Sequence, residues 1–236
     1  MPNELFKFVK SSYIDDVLHR GMIRVTKLSH FRKLAAKAWI ADPNEATTIV
    51  DAGGAKLAAG PGESLSDTFT PPGFSRTALA SDGGTVQFSA GARLAYVAPD
   101  DRFIFSLSCG EKDVLVQTMC QDAIEPYDAA VRVRIPLELL GHRIFHRGRI
   151  VELNDEPVGR HFMTAEYDRI SYKSIIHHHS AGIADAPSPF VKEARFAAQS
   201  EVRIALIQSR KISREWLTIA LPRPDKIFAE EFRAVT

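Results

Sequence analysis

In "FAAQSEVRIALIQ", Gln199 and Glu201 stand one residue apart at the mouth of a mostly apolar run, Val202 to Gln208, that reads as a strand. Alternate residues of an extended chain share a face, which sets Gln199, Glu201 and Arg203 on one side. A carboxylate there can accept paired hydrogen bonds from sugar hydroxyls or stabilise a developing cation, and Gln199 beside it could position a reacting partner. The structural alternative is that Glu201 pairs with Arg203 or Lys192 at the surface.

"FIFSLSCG" is the second candidate. Phe103, Phe105, Leu107 and Cys109 share one face of a strand, and Ile104, Ser106 and Ser108 the other. The two hydroxyls could orient a ligand, with Phe105 as a flat apolar surface, or they are small polar residues on the wetter side. Lys7 and Arg24 project from two early strands, and either could receive a phosphate or be solvated surface charge. Asp42 and Glu45 around Pro43 could hold a divalent cation, although an Asx turn is the default. His177, His178 and His179 are consecutive, with no carboxylate or Cys at ligand spacing, so no metal is expected. No Gly-x-Ser-x-Gly elbow occurs.

The elements that must position these groups are mostly strands. Leu5 to Val9 alternates as a first strand; Ser12 with Asp15 suggests a capping signature for a helix that Gly21 stops; "MIRVTKL" is a second strand, and "HFRKLAAKAWI" a second helix. Further strands are expected at 86–89, 93–97, 103–109 and 129–135, in "RIFHRGRIVEL", in "YDRISYKS" and in "EWLTIAL". A short helix is expected over 113–120, a helical turn from Pro136, and a final helix from Pro224. Residues 51–83, rich in Gly, Pro, Ser and Ala, read as an irregular insertion or a lid, and "HHHSAGIADAPSPF" as a polar loop. With no Gly-rich phosphate loop after a strand, the pattern predicts α+β, a single domain over 1–236.

Composition excludes some classes. The formal charge is +1 over 236 residues, which gives no general grip on nucleic acid or anionic lipid. The two cysteines, Cys109 and Cys120, make no disulfide scaffold and suggest a reducing compartment. No stretch approaches the ~20 apolar residues of a membrane span, so a cytoplasmic protein is expected.

The order of these signals, "LFKF", then helix, Gly and strand, then "FSLS", then "QSE", resembles the mono-ADP-ribosyltransferases. The resemblance implies a split β-sheet core with few short helices, and NAD as substrate. Lys7 would stand where that family places an Arg or His against NAD. Ser106 and Ser108 would scaffold the nicotinamide side, and Glu201 would orient the ribose and stabilise the oxocarbenium. A second resemblance, in patches over most of the chain, is to a widespread family of uncharacterised bacterial proteins with an aromatic-Lys-aromatic strand, an Asn-Asp-Pro-x-Glu turn and a Glu-x-Glu-x-Arg block. Here Ala41 and Gln199 depart from that pattern.

The expectation is therefore an ADP-ribosyltransferase or NAD glycohydrolase of the toxin or phage-defence kind, with Glu201 and Gln199 catalytic. Lys7, Arg24, Phe105, Ser106, Ser108 and Arg203 would bind a nucleotide-type small molecule, and the acceptor would be a protein or nucleic acid. The rivals are a non-catalytic nucleotide- or protein-binding regulatory module, and a metal-dependent nuclease or hydrolase built on Asp42, Glu45, Glu201 and a histidine.

Overall fold

The computed structural model describes residues 4–34, 44, 46–59, 71, 84–98, 101–121, 127–182 and 184–233. β1 (Glu4–Val9) buries Phe6 and Phe8 on one face and turns Lys7 to the other. α1 (Ser11–Arg20) buries Ile14 and Val17. Ser12 does not cap it. The helix begins at Ser11, whose backbone N–H and hydroxyl both donate to the Asp128 carboxylate, while Asp15 is taken by Arg233 at 2.8 Å. A tertiary partner thus replaces the local capping pair. Gly21, at φ +64°, ends the helix with its N–H on the Asp16 carbonyl.

β2 (Met22–Lys27) and α2 (Leu28–Leu34) follow; the rest of the second expected helix, and the Asp42–Pro43–Glu45 turn, lie outside the described residues. β3 (Thr47–Asp51), β4 (Lys56–Ala59), β5 (Gly84–Gln87) and β6 (Arg93–Val97) come next. β4 lies inside the segment expected to be irregular, because it finds a partner in β5. Residues 60–83, apart from Pro71, lie outside the described residues.

β7 (Phe103–Gly110) leads into α3 (Lys112–Val116), which continues as a π-helical turn over Gln117–Gln121, and then into β8 (Ala129–Val133). α4 (Leu137–Arg147) corrects the strand expected in "RIFHRGRIVEL". Leu140, Gly141 and Ile144 form its buried stripe, a helical spacing that the local alternation of "RIF" conceals. The remaining strands are β9 (Arg149–Ile150), β10 (Glu156–Pro157), β11 (Phe162–Arg169), β12 (Ser171–Tyr172), β13 (Ile176–His178), β14 (Val191–Lys192), β15 (Glu201–Gln208), β16 (Trp216–Ala220) and β17 (Phe228–Arg233). The final helix expected from Pro224 is only a 3-10 turn; β17 follows it because the edge of β8 is open to pairing.

The fold is mixed α and β, its main sheet antiparallel, with few short helices. Strand order is β10-β9-β16-β2-β7-β1-β8-β17, and β15 pairs with β7 and β11. β7 is the branch point. Leu5 and Phe6 pair with Cys109 and Ser108, whereas Thr26 and Lys27 pair with Ile104 and Phe103. Since β15 pairs with 103–108 as well, β1 and β2 must share the opposite edge, one at each end of it. Over Phe105–Leu107 that edge has no strand partner among the described residues: β1 peels away and β2 arrives, leaving a fork that α1 joins.

One face of the sheet packs Phe103, Phe105, Leu107, Val202 and Ile204 against Ile14 and Val17 of α1 and Leu140 and Ile144 of α4. The other face carries two small apolar clusters, Phe6, Phe8, Leu115 and Met119 in one and Leu28, Ile104 and Ala205 in the other. Ser106, Ser108, Glu201 and Arg203 alternate with the core residues and so occupy this second face.

Candidate functional site

A cavity of about 410 Å³ lies over the fork, within the size range of small-molecule sites. The local backbone explains why Glu201 reaches it. A 3-10 turn (Ala194–Gln199) and Ser200 in the left-handed region, at φ 43°, fold the chain back before β15 starts. The Glu201 N–H donates to the Tyr172 hydroxyl at 2.6 Å and its carbonyl accepts from the Ile170 N–H at 3.0 Å, so its backbone is pinned on both sides.

The Glu201 side chain is 8 % exposed. Arg203 Nε donates to its Oε1 at 2.6 Å and Lys192 Nζ to its Oε2 at 3.0 Å, and the nearby Ser106 hydroxyl also favours the charged form. Both cations are buried; Arg203 also donates to the Pro189 carbonyl at 2.6 Å, and Lys192 to Gln199 Oε1 at 2.9 Å. Burial opposes the carboxylate's charge, but the charges of Arg203 and Lys192 and the hydrogen bonds outweigh it, and Glu201 stays ionised far below the usual range. Such a carboxylate is too weak a base to take protons near neutrality; it can hold hydroxyls and stabilise a cation.

Lys7 crosses the fork. Its ammonium donates to the Ser106 carbonyl at 2.8 Å, filling the strand edge that β1 and β2 leave open, and sits 5.0 Å from the Phe105 ring centre. Burial lowers its pKa to about 8, with the charge of Glu201 pulling the other way. The Tyr127 phenol, pushed up by burial and then by Glu201, remains a protonated donor. Gln199 is 3 % exposed, and with Oε1 held by Lys192 its Nε2 has no hydrogen-bond acceptor among the described residues.

Lys7, Arg24, Phe105, Ser106, Ser108, Gln199, Glu201 and Arg203 all line this one cavity. Two of them play parts other than those expected. Phe105 belongs to the core on the far face and borders the cavity through the fork, under Lys7. Arg203, 2 % exposed, anchors Glu201. The pairing of Glu201 with Arg203 and Lys192 is real, but it is buried and not a surface contact. Sequence reasoning placed Lys192 only as a surface partner of Glu201 and not as an internal cation, and it missed Tyr172, Tyr127 and Tyr13.

Of the consecutive histidines, two make local bonds, His177 Nε2 with the Gly182 carbonyl at 2.9 Å and His178 Nδ1 with the Ser180 hydroxyl at 2.7 Å, while His179 Nδ1 meets the Asp51 carbonyl at 3.2 Å. Among the described residues no three His, Cys, Asp or Glu side chains gather as metal ligands, and no helix is long and apolar enough to cross a membrane.

Compared with protein-family models, with curated proteins and with solved structures, the chain matches none.

Proposed function

We propose that the fork cavity binds NAD and that the protein is an ADP-ribosyltransferase or NAD glycohydrolase with a split-sheet core of that kind. One observation carries this reading: groups from four separate segments, Lys7, Arg24, Ser106 with Ser108, and Gln199 with Glu201, converge on a single cavity. The lining charges fit an anionic ligand, with Lys7, Lys10, Arg24, Lys192 and Arg203 set against only Asp16 and Glu201.

In the reaction the C1′–N1 bond of the nicotinamide ribose breaks and its electron pair leaves with nicotinamide. C1′ becomes cationic, and water or an acceptor group adds there and releases a proton. Glu201, ionised and pinned, holds the ribose hydroxyls and stabilises the cation. Ser106 and Ser108 orient the nicotinamide side, Lys7 and Arg24 meet the pyrophosphate, and Gln199 faces the acceptor.

A second reading, a non-catalytic nucleotide-binding module, is favoured by one feature: both Glu201 oxygens already accept hydrogen bonds from buried cations, as in a structural ion network. Calorimetry with NAD, beside chromatography of released nicotinamide, separates the two. Turnover that Glu201→Gln abolishes and Ser106→Ala and Ser108→Ala each reduce, with circular dichroism unchanged, is the expected result. Binding without turnover assigns the module, and absence of both refutes the NAD site.

A further inference from the structure

Arg24 is exposed on β2 and lines the cavity next to α1. Its register explains its neighbours. Thr218 of β16 stands directly opposite, and Trp216, paired with Thr26, lies diagonally on the same face. The guanidinium carbon sits 4.6 Å from the Trp216 ring centre and 5.6 Å from that of Tyr13, so two aromatic rings frame one cation. Among the described residues Arg24 donates no hydrogen bond and joins no ion pair, and the nearby cavity acid, Asp16, is engaged by Arg20 at 3.2 Å.

A guanidinium stacked on aromatic rings has its plane fixed while its N–H edges stay available, the preorganised form of a phosphate receptor. The rings themselves are unusually open, Tyr13 at 50 % and Trp216 at 38 % exposure. Flat apolar surface left in water beside an unpaired cation is what a nucleoside phosphate covers, base on ring and phosphate on guanidinium.

We infer that Tyr13, Arg24 and Trp216 form the mouth subsite for the base-and-phosphate end of a nucleotide whose ribose reaches toward Glu201. This rests on the proposal that the cavity takes a nucleotide, and it is independent of whether that nucleotide is turned over. Tyr13 and Trp216 are positioning and specificity residues there, and Arg24 is the group that touches phosphate.

The chain has two tryptophans, Trp39 and Trp216, so a Trp39→Phe protein reports Trp216 fluorescence alone. That protein is titrated at low salt with AMP, ADP-ribose, ribose 5-phosphate and inorganic pyrophosphate. AMP and ADP-ribose should quench Trp216 saturably, whereas ribose 5-phosphate and pyrophosphate should bind with little quenching. Arg24→Leu should weaken AMP by about tenfold or more, the scale of a lost charge-assisted contact. Trp216→Ala should weaken AMP more than it weakens pyrophosphate, both followed by calorimetry. Emission unmoved by AMP, AMP affinity unchanged in Arg24→Leu, or equal quenching by pyrophosphate and AMP would each overturn the subsite. NAD turnover that persists unchanged in Arg24→Leu at low NAD sinks this inference and spares the NAD reading; AMP binding here without any turnover does the reverse.

Discussion

Glu201 carries its charge inside the protein because two cations hold it there, and the same arrangement makes it sensitive to their loss. A carboxylate depressed in the folded state contributes stability that is present above its unfolded pKa and is lost as pH falls below it. Acid unfolding should therefore have a steep limb below the ordinary carboxylate range, shallower in Glu201→Gln, as pH-dependent urea denaturation would measure. Removing one cation with Lys192→Met should cost about 3–5 kcal/mol, since an uncompensated charge stays buried. Lys7 behaves in the opposite sense. Its pKa of about 8, against 10.5 for an ordinary lysine, means that the unfolded chain holds a proton the native one has lost between those values. Stability should rise with pH across that window, and affinity for an anionic ligand should fall as the ammonium discharges. Lys7→Met should remove both trends, which calorimetry and denaturation on either side of pH 8 can follow. The chemistry at this scale was the most legible part of the sequence: strand alternation grouped Ser106 with Ser108 and Glu201 with Arg203, and the β7–β15 register then set the two pairs on one face. The burial of their ion network was not legible, because it depends on what packs over that face.

At the scale of elements, the fork is made by α1 and its exit. Gly21 ends α1 at φ +64°, and a Cβ placed there would lie 2.3 Å from the Leu221 carbonyl oxygen. Gly21→Ala combines a left-handed strain of about 1–2 kcal/mol with that clash, so a loss of several kcal/mol is expected in thermal or urea unfolding. Strands with strong alternation or long apolar runs, β1, β2, β7, β15 and β16, were readable from their residues. α4 was misread because "RIF" and "RIV" flank Gly148 and mimic a strand while the buried stripe begins earlier, at Leu140. β17 was misread because Pro224 and Asp225 suit a helix start, whereas the edge of β8 takes the following segment as a strand. β13 was lost in a polar sequence, since its pairing with β3 comes from 127 residues away, Ile176 on Ile49.

For the whole molecule, a nearly neutral chain lines one cavity with more cations than acids, Lys7, Lys10, Arg24, Lys192 and Arg203 against Asp16 and Glu201. Binding of an anionic nucleotide there should weaken with added salt, although less steeply for groups shielded in the fork than for exposed Arg24. The fork itself could not be read from the chain, because it arises from three pairings of β7 with strands near residues 5, 26 and 204. The order of "LFKF", "FSLS" and "QSE" along the chain pointed to one site, and in three dimensions those segments do meet at one cavity. The most direct measurement is the release of nicotinamide from NAD by the purified full chain, followed by chromatography beside Glu201→Gln. Release by the wild type and none by the folded variant is the predicted result. No release, with no heat of NAD binding, would contradict an NAD site in the fork.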